Sequence, residues 1–208
     1  VHLRLPGRHN VANALAAMLS TLNNMAKPTI ARVHGAALGG GVGLVACCDI
    51  AIGTPSAVFA LSEARLGLIP ATISPYVIES IGARAARRYF LSAERFDAAE
   101  ARALGLLHEL VPESELDAAI DRLVTALLDA GPQAQAEAKL LIRAVGHRAI
   151  DQGVIGDTAR SIARVRATPE AKEGIAAVLD KRKQAWRAQG SRRDARDQPD
   201  NTQSVTTA

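Results

Sequence analysis

The sequence predicts an α/β fold in which short strands and helices alternate over the first part of the chain and then give way to helices alone. Three observations predict it. Strand-length, β-rich runs recur at 29–34, 50–53 and 58–61. A glycine cluster, Gly39-Gly40-Gly41-Val42-Gly43, opens a short apolar segment between the first two runs. From Ala83 onward the patterning changes to helical periods punctuated by Gly and Pro.

Each element follows from its residues. Val11, Leu15, Met18, Leu19 and Leu22 recur at helical spacing within 11–25, and Lys27-Pro28 ends that helix. The strand at 29–34 runs into Gly35, and the apolar segment after the glycines continues to Cys48 and stops at Asp49. Asp97, with Glu100 three residues later, forms a capping-box-like start, and Gly105 is the stop. Within 114–130, Leu116, Ile120, Leu123, Val124, Leu127 and Leu128 make one apolar stripe. Gly131-Pro132 closes that helix and starts the next, because proline suits the first helical position. Thr168-Pro169 repeats the device for a last helix expected to reach about Trp186. Beyond it the chain is polar and basic, then rich in Ser, Thr and Gln, with almost nothing to bury. The expected organisation is a core over 1–82, a helical region over 83–187 and a disordered tail over 188–208.

Composition narrows the function classes. Hydrophobic residues make up 48% and charged residues 22%, ordinary for a globular protein, while aromatics at 3% favour closely packed, Ala- and Leu-rich helices. No apolar run reaches the roughly 18 residues of a membrane span. Residues 1–10, with two Arg and a Pro, lack the apolar centre of a secretory signal, so a cytoplasmic protein without a membrane partner is expected. Cys47 and Cys48 are adjacent in an apolar stretch, which suits buried thiols rather than a disulfide framework or metal ligands. The net charge of +4 owes much to Lys181, Arg182, Lys183, Arg187, Arg192, Arg193 and Arg196. No aromatic platform accompanies that charge, so a nucleic-acid partner is not expected.

The glycine cluster admits two chemistries. Gly41-Val42-Gly43-Leu44-Val45-Ala46 fits the dinucleotide fingerprint, with Glu63 at the ribose-binding distance. Against that reading, the helix that follows is too short for a βαβ crossover, and Glu63 does not end a matching strand. A P-loop is excluded because no Gly-Lys-Ser/Thr follows. The alternative is an oxyanion hole, in which a glycine N–H at a helix N-terminus holds a thioester oxygen as it becomes enolate-like.

The run from Lys27 through Val33-His34-Gly35-Ala36-Ala37-Leu38-Gly39-Gly40-Gly41 to Cys48-Asp49-Ile50-Ala51 resembles the signature of the enoyl-CoA hydratase/isomerase (crotonase) family. Phe59-Ala60-Leu61-Ser62-Glu63-Ala64-Arg65-Leu66-Gly67-Leu68-Ile69-Pro70 resembles its second active-site segment, and 92–111 its next helix and turn. The resemblance spans about residues 10–187, with three motifs in order at the right separations. It implies a crotonase-like spiral followed by a helical oligomerisation region, and a homotrimer or hexamer. It also implies an acyl-CoA thioester substrate and no cofactor beyond the coenzyme A that the substrate carries. Gly40 would supply one oxyanion-hole N–H, and Glu63 would handle the α-proton. Lys181 and Trp186 resemble last-helix residues that face the CoA nucleotide of a neighbouring subunit, although a solvated basic helix end reads equally well.

Three departures qualify the resemblance. Many hydratases of the family carry a second Glu where this chain has Gly43. The usually glycine-rich stretch after Ile69-Pro70 is Ala71-Thr72-Ile73-Ser74-Pro75-Tyr76-Val77, wording most like bacterial methylglutaconyl-CoA hydratase-type proteins. Family members usually begin well upstream with a loop that supplies the first oxyanion donor, and nothing in 1–9 resembles it. A fragment, a mis-started frame or a degenerate paralogue would each account for that. The expected function is hydration of a 2-enoyl-CoA. Double-bond isomerisation in the same fold, and a non-catalytic binding or assembly subunit, are the alternatives. His34 reads as a loop or core histidine. Neither a G-x-S-x-G elbow nor a metal-ligand cluster occurs.

Overall fold

The computed structural model describes residues 8–187, and it divides into two compact units between Val124 and Thr125. The tail expected to be disordered, 188–208, lies outside the described residues.

The first unit is a spiral. After α1 (Arg8–Asn23), which contributes the fully buried Leu19, β1 (Ile30–Val33) and β2 (Ala36–Leu38) follow one another around Gly35. Helix α2 (Gly40–Cys47) then leads to β3 (Ile50–Gly53) and β4 (Val58–Ala60). Neither successive pair forms a hairpin. Instead β3 lies parallel beside β1, Ile30 opposite Ile50, and β4 lies parallel beside β2, Ala36 opposite Val58. The chain thus lays one strand in each of two small sheets per turn. Reciprocal hydrogen bonds clamp the start of each turn: Thr29 N–H and Oγ1 donate to Asp49 Oδ2, and Asp49 N–H donates to Thr29 Oγ1.

Helix α3 (Ser74–Ser92) follows, broken by Gly82 at φ 74°, a backbone state that glycine adopts without steric cost. Two more strands come after it, β5 (Arg95–Asp97) and β6 (Glu109–Leu110), separated by α4 (Ala98–Ala103). They complete the sheets in the orders β1-β3-β6 and β2-β4-β5, with β5 antiparallel to β4. Asp97 Oδ1 accepts the Glu100 N–H at 2.8 Å, the capping expected from sequence. The core is anchored by Phe59, Phe96 and Tyr89, with ring centroids 5.5 Å apart (Phe59–Phe96) and 4.3 Å apart (Tyr89–Phe96). The buried Tyr89 hydroxyl donates to Glu100 Oε1.

The division between units falls within α5 (Leu116–Asp129). The second unit packs α6 (Pro132–Val145), α7 (Gln152–Arg166) and α8 (Pro169–Leu179). Asp151 and Thr168 cap α7 and α8, and the Glu170 carboxylate on α8 accepts the Gln133 and Ala134 N–H groups at the start of α6.

Two sequence expectations need correction. The stretch after Ala83 is not helical throughout, because β5 and β6 are too short to show a period of two and exist only by pairing with β4 and β3. The helix that starts at Pro169 ends at Leu179 instead of running on to Trp186, which lies in a separate helical stretch at 185–187. Lys181 turns the chain at φ 52°, Arg182 pairs with Glu173 through both of its terminal nitrogens, and Ala185 N–H donates to Glu173 Oε1.

Candidate active site

The two turns that leave β2 and β4 build the site. These strands are parallel neighbours, so their C-terminal ends lie side by side, where α/β folds commonly place ligand chemistry. Beyond β2, Gly39 adopts φ 50° and ψ −117°, which an L side chain rarely tolerates, and its N–H donates to Ala60 O of β4 at 2.8 Å. Helix α2 begins at the next residue. The Gly40 and Gly41 N–H groups lie in its first turn, where an α-helix supplies no intrahelical acceptor.

Beyond β4, Leu61 is fully buried and the chain enters a 3-10 turn, Ser62–Leu66. Gly67 closes that turn in the left-handed region, and Leu68 N–H returns to Glu63 O at 3.0 Å. This geometry sets the Glu63 side chain against the glycine turn. A Cβ on Gly39 would lie 3.1 Å from Glu63 Oε1. Glu63 Oε2 is buried and has no hydrogen-bond partner among the described residues. An unsatisfied buried acceptor costs about 1–3 kcal/mol, so Glu63 Oε2 is a candidate to accept a hydrogen bond from water or a bound ligand. Past Glu63 in the chain, Leu66, Leu68 and Ile69 are 73%, 60% and 78% exposed.

Position 43 explains the missing second carboxyl. A Cβ there would fall 2.3 Å from Ile73 Cγ2, so no side chain fits, and Ile73 fills the space. The sequence marks Ile73 only as part of the altered stretch after Pro70, and its contact with Gly43, thirty positions earlier, appears only in the fold.

The structure brings Glu63 and the Gly39–Gly40 turn together in the first unit, whereas Lys181 and Trp186 belong to the second. Lys181 is exposed. The Trp186 ring packs over Gly174 and its Nε1–H donates to Asp129 O, leaving only part of the ring open. His34 is exposed beside Arg32, which pairs with Asp117, and burial pushes the Cys47 thiol up to about 12, the state of an inert structural thiol. A cleft of about 900 Å³ between α3 and α4, edged by Arg84, Arg87 and Arg88, includes neither Glu63 nor Gly40.

Comparison with known proteins bears on this arrangement. The sequence model described as Enoyl-CoA hydratase/isomerase matches residues 8–189. An enoyl-CoA hydratase of Shewanella pealeana has a crystal structure that superposes with a TM-score of 0.82 at 45% identity, over 88% of this chain and 69% of that one. An enoyl-CoA hydratase of Alternaria alternata is 35% identical over 78% of this chain and 55% of its own length. The mitochondrial methylglutaconyl-CoA hydratase of Rattus norvegicus is 34% identical over 81% of this chain and likewise 55% of its own length. The chain therefore spans little more than half of these curated relatives.

Proposed function

The chain belongs to the enoyl-CoA hydratase/isomerase family, and from that premise we propose that it adds water across the double bond of a 2-enoyl-CoA. The observation that carries the reading is the buried, unpartnered Glu63 Oε2 beside the glycine turn that opens α2. Glu63 takes a proton from water as the water oxygen bonds to C3. The C2–C3 π electrons move toward the thioester, whose oxygen becomes enolate-like and accepts the Gly40 N–H. Collapse of the enolate draws the proton from Glu63 to C2, which regenerates the carboxylate. General acid–base help of this kind is worth about 10² to 10⁴ in rate, and an oxyanion donor about 10² to 10³.

Similarity to methylglutaconyl-CoA hydratase supports a branched acyl group. Lys181, exposed and cationic, suits a CoA phosphate, and Trp186 would meet the nucleotide only through the open part of its ring. The apolar residues left exposed on the second unit, among them Ile142, Ile162 and Val178, support a homotrimer or a pair of trimers. A second reading, isomerisation, rests on the bare position 43: with one carboxyl, Glu63 could carry a proton from C2 to C4 of a 3-enoyl-CoA, moving the double bond from C3–C4 to C2–C3.

The experiment is turnover of 2-enoyl-CoA by the parent and Glu63→Gln proteins, with products separated chromatographically. The expected result is 3-hydroxyacyl-CoA from the parent and a loss of at least about 10² in kcat for the variant. Unchanged turnover in the variant refutes the role of Glu63, and a parent that only migrates double bonds replaces hydration with isomerisation.

A further inference from the structure

We propose that Ile73 is a positioning residue for this reaction: keyed onto the bare Cα of Gly43, it sets the separation between the Glu63 carboxyl and the amides at the start of α2. The inference rests on the functional reading above and adds to it the device that holds the two groups in register.

Donor and carboxyl sit on different elements, and each element is short. Gly40 opens an eight-residue helix, and Glu63 sits on a five-residue 3-10 turn. The segment from that turn to α3 is tied within itself by local bonds such as Gly67 N–H to Ala64 O and Ser74 N–H to Pro70 O. Its large apolar side chains Leu66, Leu68 and Ile69 face outward and fix nothing. Before Glu63 it is anchored by Leu61, which is fully buried in the general core, and by the Gly39 N–H bond to Ala60 O. Past Glu63, Pro70 is buried and the large branched side chain that goes inward is Ile73, 2% exposed.

Ile73 goes in against α2 itself. Its Cγ2 lies 2.3 Å and its Cβ 2.8 Å from where a residue-43 Cβ would be, so the contact exists only because residue 43 is glycine. Gly43 lies three residues, less than one helical turn, beyond Gly40, the first residue of α2. Ile73 thus bears on α2 about one turn from the Gly39 backbone that Glu63 Oε1 approaches. A β-branched side chain suits the task because its χ1 is stiff. Loosening the contact leaves both reacting groups present but free to shift relative to one another, and misplacement by about 1 Å can cost about 10² in rate.

The test separates positioning from ordinary core packing by using a matched contact elsewhere in the same unit. Leu107 Cδ1 lies 2.8 Å from the position of a Gly53 Cβ, on β3 and away from Glu63. Parent, Ile73→Val, Ile73→Leu, Ile73→Ala and Leu107→Ala proteins are compared for melting temperature, kcat and KM with a 2-enoyl-CoA. Both alanine variants are expected to lose comparable melting temperature. Only Ile73→Ala should lose kcat, by roughly ten- to a hundredfold, with KM changed by less than about threefold, and Ile73→Val should recover most of the loss.

Equal kcat in the two alanine variants, or no recovery in a folded Ile73→Val protein, overturns the inference. If Ile73→Ala does not fold, Ile73→Leu decides: equal in volume but branched one carbon later, it supports the proposal if its kcat falls below that of Ile73→Val and overturns it if its kcat matches the parent. A parent with no enoyl-CoA turnover refutes the functional reading itself, whereas a parent that turns over normally beside an unimpaired Ile73→Ala refutes this inference alone.

Discussion

The two units are held together by different physics. Through Val124, buried Leu19, Val42, Phe59, Leu61, Ile73, Val77, Tyr89 and Leu107 form one continuous core, and several glycines let backbone or side chains approach within contact distance. From Thr125, among the described residues, Val154 and Ala177 are the buried hydrophobics, while Leu140, Ile142, Ile150, Ile162, Val178 and Leu179 stay exposed. Ion pairs such as Arg164–Glu137 and Arg182–Glu173 tie that unit's surface. Exposed pairs contribute little, with a median of about 0–1 kcal/mol, whereas a buried aromatic contributes several times more. The candidate site lies in the unit with the continuous buried core. Among the described residues, the second unit leaves these apolar side chains exposed.

Matched truncations give the sharpest contrast. Phe59→Ala empties the space beneath Phe96 and should cost about 3–5 kcal/mol in the first unit. Ile142→Ala, on an exposed helix face, should stay within about 0.5 kcal/mol in a monomer. Denaturant titration of both variants checks the pair. A larger Ile142→Ala loss that grows with protein concentration would show that assembly covers that face.

Glycine substitutions sharpen the comparison at a smaller scale. In Gly43→Ala the new methyl would meet the buried Ile73 side chain, for an expected overpacking cost of about 1–3 kcal/mol and a fall in kcat. In Gly174→Ala it would meet only the edge of the Trp186 ring at 2.9 Å, and helix propensity favours alanine by up to about 1 kcal/mol. Thermal melts should therefore move down for the first and stay near the parent for the second. Similar shifts would erase the distinction.

The smallest effect is electrostatic and belongs to the second unit. Hydrogen bonds from Arg182, and then from Ala185 N–H, hold the Glu173 carboxyl down from its ordinary value near 4.5 to about 2. Because the folded value is the lower one, the pair stabilises the unit above about pH 4.5, and that contribution is lost as pH falls toward 2. An acid titration followed by circular dichroism should show a small extra loss in the parent over that window. Glu173→Gln should lack it, and identical curves would remove the pair from the account.

How much of this was legible in the sequence varied with the range of the interaction that sets each feature. Helix caps were readable because they are local: Asp97 with Glu100, Gly131-Pro132 and Thr168-Pro169 each act within a few residues, and each was found where expected. The strands at 30–33, 50–53 and 58–60 were readable from β-branched and apolar runs. The motifs around Gly40 and Glu63 pointed to one family because their order and spacing are properties of the chain itself.

The features that escaped a linear reading all depend on partners distant along the chain. β5 and β6 exist through pairing with β4 and β3, and α8 ends early because Glu173 recaptures Arg182 and Ala185. The packing of Gly43 against Ile73, and the burial of Glu63 Oε2 without a partner, arise only when two successive turns of the spiral are stacked. Residue type and spacing by themselves determined which groups could carry the chemistry and which local conformations they would adopt. Only the tertiary structure decided which groups meet, because parallel pairing of β2 with β4 sets the Gly39 turn against the Glu63 turn, and no pattern within either segment encodes that contact.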